Sequence, residues 1–303
     1  MALGRGQTCQ DRDDPCAEFL GGSAARRCHA SRHDLVTEAT CQVSPGQEPA
    51  AIHGRRYRMG LVTDFLAAGH TALVTGGARR VGRLLVEALA GAGADVVIHY
   101  GASAQAASEV VHAVRDLGRR AVAIQADLGR PDPAARLLDQ AEAELGPVDW
   151  LVHSAAIFEA QDVHSTTVEA WDRHLAVNLR APFLLSQAFA RSRAGRPGAI
   201  VTVLDWRALR PGADHFPYTV AKAALAAMTR SLALALAPAI RVNGLALGAV
   251  LPPADGETGA IEAVPAGRWA RPEEVGQALL FLLQGSDFVT GSVIHVDGGR
   301  HLV

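Results

Sequence analysis

From about residue 70 onward, short apolar runs alternate with stretches in which apolar residues recur every three or four positions. Thr71–Thr75 (TALVT), Asp95–His99 (DVVIH), Ala121–Gln125, Val148–Val152, Ala199–Val203, Ile240–Leu245 and Ser292–Val296 are runs of five or six residues, the form of strands covered on both faces. Between them, Val81–Ala90, Ser103–Leu117, Pro131–Leu145, Thr166–Val177, Pro182–Arg193, Phe216–Ala237 and Pro272–Leu283 have helical spacing, with Pro131 opening its helix.

Strands that alternate with helices pair in parallel, because each connection must cross over the sheet. Right-handed crossovers then give a single α/β domain over residues 59–303. It is a Rossmann-type, doubly wound, seven-stranded parallel sheet with helices on both faces. Residues 1–58 show no sustained period and mix Gly, Pro, Arg, Asp and Cys. They read as a disordered or non-native extension, with Met59 a candidate start and a transit peptide as the alternative.

Composition narrows the partners. Of 303 residues, 49% are hydrophobic and 20% charged, and the formal net charge is -2, which favours neither nucleic acid nor an anionic membrane. No uninterrupted apolar run reaches the roughly 18 residues of a membrane span, and the N-terminus lacks a secretory pattern, so a cytoplasmic location is expected. Cys9, Cys16, Cys28 and Cys41 all precede the periodic region, at spacings that fit no compact zinc motif, and no metal site is expected. Lys222 is the one lysine among 29 basic residues.

The first strand runs into Thr75-Gly-Gly-Ala-Arg-Arg-Val-Gly82 and then a helix. Gly76, Gly77 and Gly82 lack the Cβ that would keep a backbone from a pyrophosphate, and a helix N-terminus adds a favourable dipole. A plain tight turn is the alternative. A dinucleotide's ribose 2′-hydroxyl is usually gripped by a carboxylate at the end of the second strand. Here that place holds His99-Tyr100, with Ser103 at the next helix start and Arg79-Arg80 in the turn. Nothing there repels a 2′-phosphate, so NADPH is expected. Asp127-Leu128, ending the third strand, is placed to contact adenine.

Tyr218 and Lys222 lie four apart in a helical context and therefore share a face. An ammonium beside a phenol favours phenolate, so a lowered Tyr218 pKa and a proton-donor role are expected; a solvated helix pair is the alternative.

Together the glycine turn, Asp127, Asn178 in Val177-Asn-Leu-Arg-Ala-Pro-Phe183, the Tyr218/Lys222 pair and Val296-Asp-Gly-Gly299 resemble the short-chain dehydrogenase/reductase family over about residues 70–303. The resemblance implies that Tyr218 is the proton donor, that Lys222 is its electrostatic partner and holds the nicotinamide ribose, and that Asn178 completes a water relay. It also implies that Val81, Ser154, Ala155 and Gly248 join the residues above in the cofactor site, and that the assembly is a homotetramer or a dimer.

Three departures narrow the likeness. Asp205 stands where most members carry a serine, Arg80 where most carry the middle glycine, and His153-Ser-Ala-Ala-Ile-Phe158 where most read Asn-Asn-Ala-Gly. These, with His99-Tyr100 and Asp297-Gly-Gly-Arg-His301, look like pteridine reductases and the related dihydrofolate or dihydromonapterin reductases. By that resemblance Phe158 and the nicotinamide sandwich a flat pterin, Arg80 reaches both the phosphates and the pterin, and Asp205 orients Tyr218 or shares its proton. Reducing C=N forms no oxyanion, so a carboxylate is tolerable at 205. Ala102, Ala156 and Leu247 depart from that group. A carbonyl or 3-oxoacyl reductase, and an idle NADP-binding protein, remain alternatives. Trp206 and Trp269 read as pocket or core residues, residues 249–267 as a substrate lid or a surface loop, and His153, His215 and His295 as structural. The helix Ala221–Leu236 is apolar all round, which suits a subunit interface.

Overall fold

The computed structural model describes residues 67–252 and 261–303. The expectations for the first 58 residues, for Met59 and for most of the middle of the 249–267 segment lie outside them. Seven strands form one parallel sheet: β1 (Thr71–Thr75), β2 (Asp95–Tyr100), β3 (Ala121–Gln125), β4 (Trp150–His153), β5 (Gly198–Asp205), β6 (Ile240–Leu247) and β7 (Val293–Val296). Their order is β3-β2-β1-β4-β5-β6-β7. The chain builds outward from β1 to one side, returns to β4, and builds outward to the other, which is the doubly wound arrangement expected. The helices are α1 (Arg80–Gly91), α2 (Ala104–Asp116), α3 (Pro131–Leu145), α4 (Val168–Leu175), α5 (Ala181–Arg193), α6 (Phe216–Leu236) and α7 (Pro272–Leu280).

Successive strand residues face opposite sides, so each apolar strand feeds two cores. Ala72, Val74, Val96, Ile98, Val152 and Val201 pack with residues of α1, α2 and α7, such as Leu85, Val110 and Val275. Leu73, Val97, Leu151 and Ile200 pack on the other side with Leu137 of α3 and Leu185 and Phe189 of α5. Among the described residues, α6 is the helix long and apolar enough to span a membrane. It packs instead on β5 and β6, burying Tyr218, Lys222 and Thr229.

The structure differs from the expected boundaries in two places that matter for the cleft. The pattern predicts separate helices ending at Val177 and starting at Pro182, whereas α4 runs into α5 through a widened turn, Ala176–Arg180. Pro182 has no N–H to donate to the carbonyl four residues back, so the ladder slips by one residue there. Strands β5 and β6 also run on to Asp205 and Leu247, which pair with each other. Asp205 is therefore held by the sheet rather than by a loop.

Phe189 is fully buried and meets the backbone at Gly198, where an added Cβ would lie 3.0 Å from its ring. Phe189→Ala should cost about 3–5 kcal/mol by lost burial and cavity formation. Denaturant unfolding monitored by circular dichroism checks this; a loss below about 1 kcal/mol would mean that the core collapses around the truncation.

Candidate active site

The cleft opens at the carboxyl ends of β1 and β4, the point where strand order reverses and where ligands of such sheets bind. Its volume is about 1110 Å³. One end is walled by Gly76, Arg79, Arg80, Val81 and Gly82 from the β1–α1 turn, with His99, Asp127 and Leu128 beside them. The other end is walled by Ser154, Ala155, Phe158, Asp205, Tyr218, Lys222 and Gly248. Fifteen expected site residues thus converge. Gln125, Arg130, Val250 and Leu251 join them, and the sequence pattern singled out none of these four individually. Tyr100, Ser103 and Asn178 do not line the cleft. Tyr100 packs against the α1–α2 core, and the Ser103 carbonyl accepts from Ala107 at the start of α2.

The glycine turn is shaped by steric exclusion. A Cβ on Gly82 would overlap the carbonyl oxygen of Gly76, and one on Gly76 would come within 2.8 Å of Ala155 Cα. Thr75 fixes the facing wall: its Oγ1 accepts from the N–H groups of Ser154 (3.0 Å) and Ala155 (3.1 Å) and donates to the Val152 carbonyl (3.3 Å). Arg80 occupies left-handed backbone space (φ 49°), which explains why glycine is usual there, and its Nη2 donates across the cleft to the Pro252 carbonyl at 3.1 Å.

His99 does something the sequence did not reveal. Its Nδ1 accepts from Gly76 N–H at 3.0 Å, which places the proton on Nε2, and Nε2–H donates to the Ala126 carbonyl at 3.0 Å. Burial lowers its pKa. It is a neutral pin beneath the turn, so the cations at this mouth are Arg79, Arg80 and Arg130.

At the reacting end, the Tyr218 hydroxyl donates to Asp205 Oδ2 at 3.1 Å. Lys222, 3% exposed, donates to the Val203 carbonyl at 2.7 Å and lies 5.7 Å from the Tyr218 ring centroid. The phenol pKa is raised well above its usual value, first by burial and then by the Asp205 charge. This corrects the expectation of a lowered value: the neighbour that decides the phenol is a carboxylate, not the ammonium. Burial also pulls Lys222 down to about 8. Behind it, His153 bonds Ser186 Oγ at 3.0 Å and is held neutral, its pKa near 3 through burial and the Lys222 charge. It is structural, as expected. The Asn178 amide bonds the Ile157 backbone twice, accepting from its N–H at 2.9 Å and donating one N–H to its carbonyl at 3.0 Å. It props the segment that presents Phe158.

The Phe158 ring, 51% exposed, meets Tyr218 edge-on at 4.7 Å. The His215 imidazole stacks on it at 3.8 Å and 7°. His215, expected to be structural, backs the Phe158 ring without lining the cleft itself, aimed by its left-handed backbone and by Asp214 at 2.8 Å. Arg207 bonds Asp214 at 2.9 Å, lies 3.9 Å from Asp205, and packs 4.7 Å from the Trp206 ring. Trp206 stands beside this wall and Trp269 does not reach the cleft. Among the described residues, no three His, Cys, Asp or Glu side chains converge to hold a metal ion.

Comparison with known proteins gives the same picture. A family described as enoyl-(acyl carrier protein) reductase matches residues 76–301. The chain belongs to the short-chain dehydrogenase/reductase family. It is 39% identical to a cis-4-hydroxycyclohexanecarboxylate dehydrogenase of Sinomonas cyclohexanicum over 77% of this chain and 96% of that one. It is 36% identical to the L-xylulose reductase of Homo sapiens over 78% and 98%. Among solved structures, FolM alternative dihydrofolate reductase 1 from Brucella canis, complexed with NADP, superposes with a TM-score of 0.73 at 36% identity, over 78% of this chain and 96% of that one. A short-chain dehydrogenase from Burkholderia cenocepacia, also with NADP, gives 0.73 at 36%, over 77% and 98%.

The cofactor of this family member is NADPH, and the residues present fit it. The glycine turn leaves room for a pyrophosphate, no carboxylate ends β2, and three guanidinium groups border that mouth. Gly82→Ala should therefore weaken NADPH binding at least about tenfold, because the added methyl and the Gly76 carbonyl cannot share one place. Fluorescence titration checks this; unchanged affinity would remove the turn from the cofactor site.

Proposed function

We propose that the protein is an NADPH-dependent reductase of a pterin or dihydrofolate-like C=N bond, with Tyr218 as proton donor. The observation that carries this reading is the Tyr218–Asp205 hydrogen bond beside the half-exposed Phe158 ring, one face of which His215 covers. NADPH supplies the hydride. The chain's part is to present a flat ring and a proton. Phe158 offers an aromatic surface, and Tyr218 stands at its edge still protonated, because burial and Asp205 hold the phenol in its neutral form.

A ring nitrogen that has just gained an electron pair is a stronger base than phenolate, so it takes the Tyr218 proton even from a weakened acid. Lys222 then faces the phenolate. A ketone would instead develop negative charge on oxygen close to the Asp205 carboxylate, an unfavourable pairing. The Asp205 position is thus better matched to nitrogen. The FolM likeness supports the same substrate class, whereas the alicyclic and sugar substrates named for other relatives support a ketone reductase as second reading.

The test is NADPH oxidation with dihydrobiopterin, dihydrofolate, dihydromonapterin and an acetoacetyl thioester, using the native chain and Asp205→Ser. Pterin turnover that falls at least about tenfold in Asp205→Ser is expected. Turnover of the thioester alone, or its gain in Asp205→Ser without prior pterin turnover, would favour the second reading.

A pH dependence follows from Lys222. Its folded pKa is depressed to about 8, so its charge is present below that pH and lost as pH rises through it. kcat/KM should fall on the alkaline side with a midpoint near 8. A profile flat to about pH 9.5 would show that the ammonium charge is not required.

A further inference from the structure

Beside the wall that carries Phe158 stands a cation with no carboxylate to match it among the described residues. Arg300, in the last turn of the chain, makes no ion pair among the described residues; its Nη1 donates to the Ala263 carbonyl at 3.0 Å. Its guanidinium carbon lies 4.6 Å from the Trp206 ring centroid. The same indole carries Arg207 at 4.7 Å, but that guanidinium is answered by Asp214 and Asp205. The nearby Asp297 is also committed, accepting from His301 Nδ1 at 2.7 Å and from the backbone N–H groups of Gly299 and His301.

These side chains form a continuous series leading away from the acid. Phe158 touches Tyr218 at 4.7 Å, Arg207 lies 5.7 Å over Phe158, and Trp206 connects Arg207 to Arg300. A ring seated on Phe158 has, some residues further along this wall, an aromatic face backed by a guanidinium that makes no ion pair among the described residues. A guanidinium binds carboxylates through paired N–H donors. Partial burial on an indole weakens the competition from water.

We propose that Arg300, seated on Trp206, binds a carboxylate carried by the substrate at the end remote from the reacting ring. The inference rests on the pterin reading above and narrows it to flat rings with an anionic tail, of which dihydrofolate is one and dihydrobiopterin is not.

The experiment uses the full chain loaded with NADPH, as native protein, Arg300→Gln and Arg300→Lys. Two measurements are made: steady-state kinetics with dihydrofolate and dihydrobiopterin, and calorimetric titration with p-aminobenzoylglutamate, the tail without the ring. In Arg300→Gln, the ratio of kcat/KM for dihydrofolate to that for dihydrobiopterin should fall at least about tenfold, through KM, and the fragment should no longer bind. Arg300→Lys should recover part of both. NADPH affinity in each variant reports on folding. An unchanged ratio, or fragment binding equal in the native chain and Arg300→Gln, or absent from both, overturns the subsite and leaves the pterin reading standing. Arg300-dependent fragment binding without turnover of either pteridine upholds the carboxylate site and overturns the pterin reading instead.

Discussion

Parallel register is the constraint on which this cleft depends. Thr75 pairs with His153 and His153 with Thr202, so β1, β4 and β5 reach the same level together. Three residues further along β5, Asp205 pairs with Leu247, and the chain leaves β6 at Gly248. Every segment that emerges beyond those pairs does so on one edge of the sheet. A glycine turn, the Ser154–Phe158 segment and the acid carboxylate are brought together although well over a hundred residues separate the first from the last. No loop has to find its partner, because hydrogen-bonded backbone fixes each of them before any side chain acts.

Within that frame the chemistry is decided by two buried groups of opposite preference. Lys222 is a cation where water does not reach, and burial makes its charge easier to lose. Tyr218 is a neutral acid whose proton is harder to lose, because burial and Asp205 act in the same direction. A serine at position 205 would remove the carboxylate's charge and hydrogen bond, while burial would still hold the proton on the phenol and Arg207 would still oppose it. The carboxylate adds to what burial already does, so the phenol holds its proton more firmly.

Much of this was legible in the amino-acid sequence. The seven strands and their helices follow from apolar period, and Tyr218, Lys222 and the glycines follow from spacing, because these are local properties of the chain. What escaped reading is tertiary. His99 looks like a ligand contact by its place at the end of β2, yet both its nitrogens are used by Gly76 and Ala126, partners that only folding brings near. His215 looks like an ordinary helix-start residue until its left-handed backbone lays it on Phe158. Four-residue spacing makes Lys222 conspicuous and predicts a lowered Tyr218 pKa, whereas burial and the Asp205 carboxylate, thirteen residues away and bonded to the hydroxyl, raise it. Pro182 shows the reverse case, a local signal read as a helix boundary that the fold absorbs by widening one turn.

Arg80 gives the cleft one more property. Its guanidinium already has an acceptor, the Pro252 carbonyl on the opposite bank. That bond uses one of the five N–H donors of a guanidinium, so the others stay open to a phosphate oxygen, and a single arginine can hold the far bank and an anion at once.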